Sequence, residues 1–237
     1  MLGEAMSYTP LFADRIHAGE ELAQVIHELL TQQTIDSGVK PVPIVYALPR
    51  GGVPVAAPIA RLLGCLLTIV VAKKISHPEN PELAIGAVTS SGNVLWTEQK
   101  LFRPKHDARW REGALNKAIE QAKSLEEQLI SGCPQVNTEN ATAILVDDGI
   151  ATGMTMAVAA TAIKALSPAA IWLCTPVAPQ KLLPWLNQWG DRIVVLKTPE
   201  PFWSVSNFYA QFPQVDTLEV LAYLQKQKTI GNTDSCD

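Results

Sequence analysis

Leu22, Val25, Ile26, Leu29 and Leu30 fall three and four positions apart, drawing one apolar stripe along a helix from about Asp14 to Thr31. A polar turn, Asp36-Ser37-Gly38, leads into the short apolar run Pro43–Leu48, which reads as a buried strand. Pro49-Arg50-Gly51-Gly52 is a loop, and Val53–Leu63 a helix with Pro54 in its first turn, where a missing N–H costs nothing. Pro58 fits the middle of that helix poorly. Gly64 ends it, and the β-branched run Leu66–Ala72 follows as a strand that runs out into Lys73-Lys74. Strand, helix and strand joined by tight loops make a βαβ unit and call for a parallel sheet.

Ser76–Glu82, with two prolines, reads as an exposed loop, and Ala84–Val88 with Val94–Trp96 as a hairpin about Ser90–Asn93. Residues 104–130 form a charged helix with Ala114, Ala118, Leu125 and Leu129 on a weak stripe, and Ser131–Thr142 is a polar connection. Ala143–Val146 is unbroken apolar, as expected of a strand covered on both faces. A glycine-containing turn follows, then a helix carrying Met156, Ala160, Ile163 and Leu166. Two more strands, Ala169–Thr175 and Arg192–Leu196, flank a short helix near Gln180–Gln188. Thr198–Phe212, rich in proline and aromatic residues, precedes a last helix, Asp216–Gln227. The expected fold is α/β, a mostly parallel twisted sheet flanked by helices, with a small hood from the C-terminal segment. Residues 1–230 are expected to form a single domain, with 98–141 a helical insertion and 198–230 the hood and last helix; 231–237 would be a flexible tail.

Composition narrows the classes. The 237 residues are 47% hydrophobic and 18% charged, which excludes disorder over most of the length and allows a full core. A net charge of −4 argues against a generic binder of nucleic acid or anionic membranes, without excluding a local basic pocket. Cys65, Cys133, Cys174 and Cys236 show no CxxC spacing, so reduced thiols in a cytoplasmic protein are expected rather than a zinc site or disulfide framework. The N-terminus lacks a basic region followed by an apolar run, and Ile59–Ala72 is too short to span a bilayer. His17, His27 and His106 fall on or near helices as surface residues, and no metal cluster is read from them.

The chemistry concentrates after the strand Ala143–Val146, in Asp147-Asp148-Gly149-Ile150-Ala151-Thr152-Gly153-Met154-Thr155. A loop between a parallel strand and its helix lies at the carboxyl edge of the sheet, where ligands bind in open α/β folds. Ala151–Thr155 would bring backbone N–H groups and two threonine hydroxyls to a helix N-terminus, an anion site that needs no basic side chain. Two carboxylates before a phosphate cradle would repel the phosphate unless they face sugar hydroxyls or a metal ion. A phosphorylated sugar satisfies both halves. Taken alone, Asp-Gly is only a turn or a cap. A Walker-type loop is excluded, because no Gly-Lys-Ser/Thr follows.

The run Ile144–Thr155 resembles the phosphoribosyl-diphosphate (PRPP) binding motif of type I phosphoribosyltransferases, in which two acidic residues follow a hydrophobic stretch and precede a Thr/Gly-rich loop. Leu48–Ala56 stands where that family has its pyrophosphate loop. The likeness extends to Phe12–Arg15, Lys73-Lys74, Pro81–Ala87 and Pro199–Phe202, the pattern of a bacterial branch of the family. It implies that Asp147 and Asp148 contact the ribose hydroxyls, while Gly149, Ile150, Ala151, Thr152, Gly153, Met154 and Thr155 wrap the 5-phosphate. Arg50, Gly51, Gly52 and Lys74 would hold diphosphate, with Arg50, Asp147 and Asp148 catalytic. Mg²⁺ would be the cofactor, reached by Asp147 and Asp148 through ligand or water.

The implied reaction exchanges diphosphate at ribose C1 for a nitrogen nucleophile, such as a nucleobase. Phe202 or Trp203 would stack on this small planar acceptor, unless they only pack the hood. Ser76–Glu82 occupies the place of the family's flexible lid, with His77 in it reading as exposed and uninvolved. A homo-oligomer is expected. The charged helix departs from the smallest family members, leaving oligomer contact and lid support open as its roles. The alternative to an enzyme is a non-catalytic regulator of the same fold that senses PRPP or a nucleotide.

Overall fold

The apolar runs form strands in the computed structural model, which describes residues 9–77, 79–97 and 108–231. In chain order the first half comprises α1 (Arg15–Ser37), β1 (Pro43–Ala47), α2 (Gly52–Leu63), β2 (Leu67–Ile69), β3 (Ala72–His77), β4 (Asn80–Thr89) and β5 (Val94–Trp96). The second half comprises α3 (Ala108–Leu129), β6 (Thr142–Val146), α4 (Met154–Lys164), β7 (Ala170–Val177), α5 (Leu183–Leu186), β8 (Arg192–Lys197) and α6 (Thr217–Gly231). Five strands make a wholly parallel sheet in the order β2-β1-β6-β7-β8. All five residues of β6 are buried, because helices cover both faces of the sheet. On one face Leu22, Ile26, Val55 and Ile59 join Val45 and Ile144 in a core; on the other, Tyr46 and Leu145 pack with Met156 and Ile163.

The helices follow their stripes. α1 starts where Asp14 accepts the His17 N–H at 2.9 Å, and ends at Gly38 in the left-handed conformation. It runs six residues beyond the expected end at Thr31. α2 continues through Pro58, which is buried, so packing outweighs the lost helix bond.

Two expectations need correction. The run Leu66–Ala72 is not one strand: β2 stops at Ile69, and Val70-Val71 carry the chain into a second sheet, antiparallel, of order β3-β4-β5. A continuous apolar run cannot reveal that change, since both sheets bury what they receive. Ser76–Glu82 is not an open loop either. Ser76 and His77 end β3, and Asn80–Glu82 begin β4, with register shifts near Ser76. α3 covers this small sheet through a cluster of Ile75, Ile85, Val88 and Ala118. His106 and Cys236 lie outside the described residues, as do residues 98–107 of the expected insertion and most of the expected tail.

Candidate active site

The sheet order reverses between β1 and β6. From β1 the chain crosses one way to β2, while β6, β7 and β8 proceed the other way. The crevice beyond the carboxyl ends of β1 and β6 is therefore a topological switch point, where open α/β sheets bind ligands. Residues 48–52 and 147–153 form its two walls. Backbone pairing brings the first wall to the end of β6, with Leu48 N–H donating to the Val146 carbonyl at 2.9 Å, while the second is tied to β7 by Asp147 N–H donating to the Cys174 carbonyl at 3.3 Å.

The glycines of the first wall have a reason beyond anion access. A Cβ on Gly52 would come within 2.6 Å of the Val146 carbonyl oxygen, and one on Gly51 would overlap the Asp148 carboxylate. The two walls thus touch, and only residues without side chains allow it.

Asp148 is the better anchored of the two carboxylates. Its Oδ2 accepts from Arg15 Nε at 2.8 Å, and its backbone carbonyl accepts from the Tyr209 hydroxyl at 2.6 Å. Asp147 Oδ1 accepts the Asp148 N–H at 2.9 Å. Burial pushes the Asp147 carboxyl well above the usual carboxylate range; the neighbouring Asp148 charge adds to this and Lys74 opposes it. Burial also raises Asp148, but the Arg15 hydrogen bond and charge pull it back. Tyr209 is raised by burial and by the same carboxylates.

Downstream, Ile150 is buried and its N–H donates to the Val177 carbonyl at 2.9 Å. Thr152 is exposed, Thr155 half-buried and Met154 buried. Gly153 takes φ +77° as the residue before α4, and no side chain caps the helix there. The first-turn N–H groups of α4 thus have no side-chain acceptor at the cap, the arrangement of an anion-binding helix end.

β3 alternates its two lysines. Lys73 faces the side of Arg50, across a cleft of about 560 Å³ also lined by Glu120, Gln121 and Ser124 from α3. Burial and the Arg50 charge hold the Lys73 ammonium below its ordinary value. Lys74 acts on Asp147 by charge and lines a separate hollow of about 590 Å³ with Ser76, His77, Trp110 and Lys117. His77 is half-buried, its ring 4.7 Å from that of Trp110, so the expectation of an exposed side chain is corrected.

The hood residues divide. Phe202 is half-buried, its ring 4.9 Å from that of Phe208, and it packs on Phe12, Val177 and Tyr209. Trp203 is 76% exposed and lines a hollow of about 510 Å³ with Lys181, Glu200 and Pro201.

Arg15 and Tyr209 receive no role from the sequence, though both lie in segments it marks, Phe12–Arg15 and Thr198–Phe212. Among the described residues no group of three His, Cys, Asp or Glu could cage a metal. Asp147 and Asp148 are the carboxylates at the crevice that could reach a divalent cation through a ligand or water, as Mg²⁺ is commonly held. Among the described residues no helix is long and apolar enough to cross a membrane.

Comparison with known proteins agrees with this architecture. A Mycobacterium tuberculosis protein, provisionally named as a phosphoribosyl transferase, is 31% identical over 216 residues, covering 91% of this chain. The chain spans 47% of that relative's length. A crystal structure of the Thermus thermophilus protein TT1426 superposes with a TM-score of 0.70 at 30% identity, covering 91% of this chain and 98% of the other. The phosphoribosyl transferase domain matches residues 13–189, more than half of the chain, which therefore belongs to the phosphoribosyl transferase family.

Proposed function

We propose that the protein is a phosphoribosyltransferase that takes PRPP with Mg²⁺ and replaces its diphosphate by a nitrogen nucleophile on a small planar acceptor, such as a nucleobase. The observation that carries this reading is the meeting of the two walls, Asp147-Asp148 against Gly51-Gly52, beside the uncapped start of α4. Groups for each part of PRPP then lie about the crevice: carboxylates for the ribose hydroxyls, helix N–H groups for the 5-phosphate, and Arg50 with Lys73 beside it for diphosphate, Lys74 adding charge from the Asp147 side.

In this reaction the bond from C1 to the diphosphate oxygen breaks and a C1–N bond forms. Positive charge builds at C1 and the ring oxygen as diphosphate leaves. Catalysis is then mainly positioning and electrostatics. Arg50 and the backbone of Gly51 and Gly52 bind the departing diphosphate, with Lys74 adding charge. Asp147 and Asp148 orient the ribose. Bound Mg²⁺ would neutralise diphosphate charge, held by Asp147 and Asp148 through ligand or water. The Trp203 face, open to solvent beside Lys181 and Glu200, is the surface offered to the acceptor.

The test is a diphosphate-release screen with PRPP, Mg²⁺ and a panel of bases and amides. Release with one acceptor, abolished by Asp147→Asn with Asp148→Asn in a folded protein, is the expected result. PRPP binding with no release against any acceptor would instead mark a sensor of PRPP, and no PRPP binding at all would refute the assignment of the site.

A further inference from the structure

Arg15 lies outside the two loops that form the crevice, yet it reaches one of the two carboxylates. Its Nε donates to Asp148 Oδ2 at 2.8 Å, with side chains only 10% and 15% exposed. Its Nη1 donates to the Pro213 carbonyl at 2.7 Å, and its guanidinium carbon sits 3.6 Å from the centroid of the Phe212 ring. A planar fork fixed in three directions holds its partner in a definite orientation, which a lysine could not do. Tyr209 secures the same residue from the backbone side, at 2.6 Å.

Asp147 is held differently. It takes a backbone N–H rather than a cation, and Lys74 acts on it only by charge. Among the described residues the charged and titratable groups acting on the pair are Arg15 at Asp148, Lys74 at Asp147 and Tyr209 at both. The Asp148 carboxylate also fills the space that a side chain at position 51 would need, so its orientation bears on both walls of the crevice.

We propose that Arg15 is a positioning residue that locks Asp148 against the Arg50-Gly51-Gly52 loop, leaving Asp147 as the carboxylate that makes the principal contact with the sugar. The inference rests on the PRPP reading of the site. The acidic pair then divides its work, with Asp148 joining the two walls as it faces the ribose and Asp147 making the larger contact with the ligand.

The experiment is a calorimetric titration of PRPP with Mg²⁺ into wild type, Arg15→Gln, Arg15→Lys, Asp147→Asn, Asp148→Asn and the Arg15→Gln/Asp148→Asn double variant. Circular dichroism establishes that each is folded. Arg15→Gln should weaken PRPP about tenfold, the cost of one charge-assisted hydrogen bond. In the Asp148→Asn background the same change should add less than about twofold, since its partner is already gone. Arg15→Lys should recover part of the loss, and it replaces Arg15→Gln in the cycle if the latter does not fold. Asp147→Asn should cost more than Asp148→Asn. An equal loss from Arg15→Gln in both backgrounds overturns the proposal, as does an unchanged affinity in the folded variant or the reverse order of the two aspartates.

Carboxylate NMR titration of the ligand-free protein gives a reading that does not depend on PRPP. The Asp148 midpoint should rise in Arg15→Gln by more than that of Asp147, and an unmoved Asp148 refutes the contact. Wild-type protein that binds no PRPP overturns the functional reading and the ligand role of Asp147, while this titration still decides whether Arg15 holds Asp148.

Discussion

Two adjacent carboxylates at a buried strand end are an energetic cost that folding alone does not require. Asp147 is raised by burial first and by Asp148 second, so the folded chain holds its proton more tightly than the unfolded chain does. Stability should accordingly fall as pH rises from the ordinary carboxylate range toward the raised folded value. Asp147→Asn removes this contribution, and its melting temperature should exceed that of wild type at pH 8 by more than it does at pH 4. A smaller gain at pH 8 than at pH 4, read from thermal denaturation, would contradict the assignment. The same substitution should abolish PRPP binding, setting ligand binding against stability at one residue. Gly51→Ala tests the neighbouring contact. Its methyl overlaps the Asp148 carboxylate, so stability should fall by about 1–3 kcal/mol in denaturant unfolding, as overpacking costs.

At the scale of elements, the start of α4 and the small sheet are the informative parts. Gly153 has φ +77°, and a Cβ there would meet the Trp185 ring at 2.6 Å. Replacing Gly153 therefore damages the loop whether or not phosphate binds, and cannot test the phosphate assignment. Thr152→Val is the cleaner change: it is exposed and isosteric, and should leave the melting temperature unchanged while weakening ribose 5-phosphate in calorimetry. Unaltered affinity would remove Thr152 from the phosphate site. The β3–β4 hairpin is supported from one side by α3, whose Ala118 packs with Ile75, Ile85 and Val88. Ile85→Ala should cost about 2–5 kcal/mol by urea unfolding, because Ile85 is fully buried and its loss leaves a cavity between the sheet and α3. The contact gives the charged helix a structural role, covering one apolar face of the small sheet while α4 covers the other.

Across the whole molecule the segment before α1 meets the hood beside the site. Leu11 and Phe12 N–H groups donate to the Phe208 carbonyl, Phe12 pairs with Tyr209 in an isolated parallel bridge, and the two rings lie 5.5 Å apart. This junction carries Arg15 and Tyr209 to Asp148, so the hood bears on the carboxylate as well as on the proposed acceptor side. Phe208→Ala, at a residue 2% exposed, should cost about 3–5 kcal/mol by denaturant unfolding and weaken PRPP as well. Trp203→Ala, by contrast, should leave stability unchanged and affect only the acceptor's KM. A large stability loss in Trp203→Ala would make that side chain part of the core. The net charge of −4 is consistent with anion binding, because the candidate phosphate site relies on backbone N–H groups, and Arg50, Lys73 and Lys74 gather near the crevice.

By itself the sequence determined what depends on neighbours along the chain. The stripe Leu22–Leu30 gave α1, the buried run before Asp147 gave β6, and the βαβ spacing gave a parallel sheet. The motif Ile144–Thr155 marked the candidate site, because strand, acidic pair and glycine loop are contiguous. What joins distant segments was left to the tertiary structure. The break at Val70-Val71 depends on which sheet each half finds, and the reversal of strand order between β1 and β6 is a property of the assembled sheet. Arg15 meets Asp148 across 133 residues of chain. Gly51 and Gly52 look in sequence like room for an anion; in the fold they are first room for Asp148 and Val146. Periodicity records which face of an element is buried, whereas the partner on that face is chosen only when all the elements pack together.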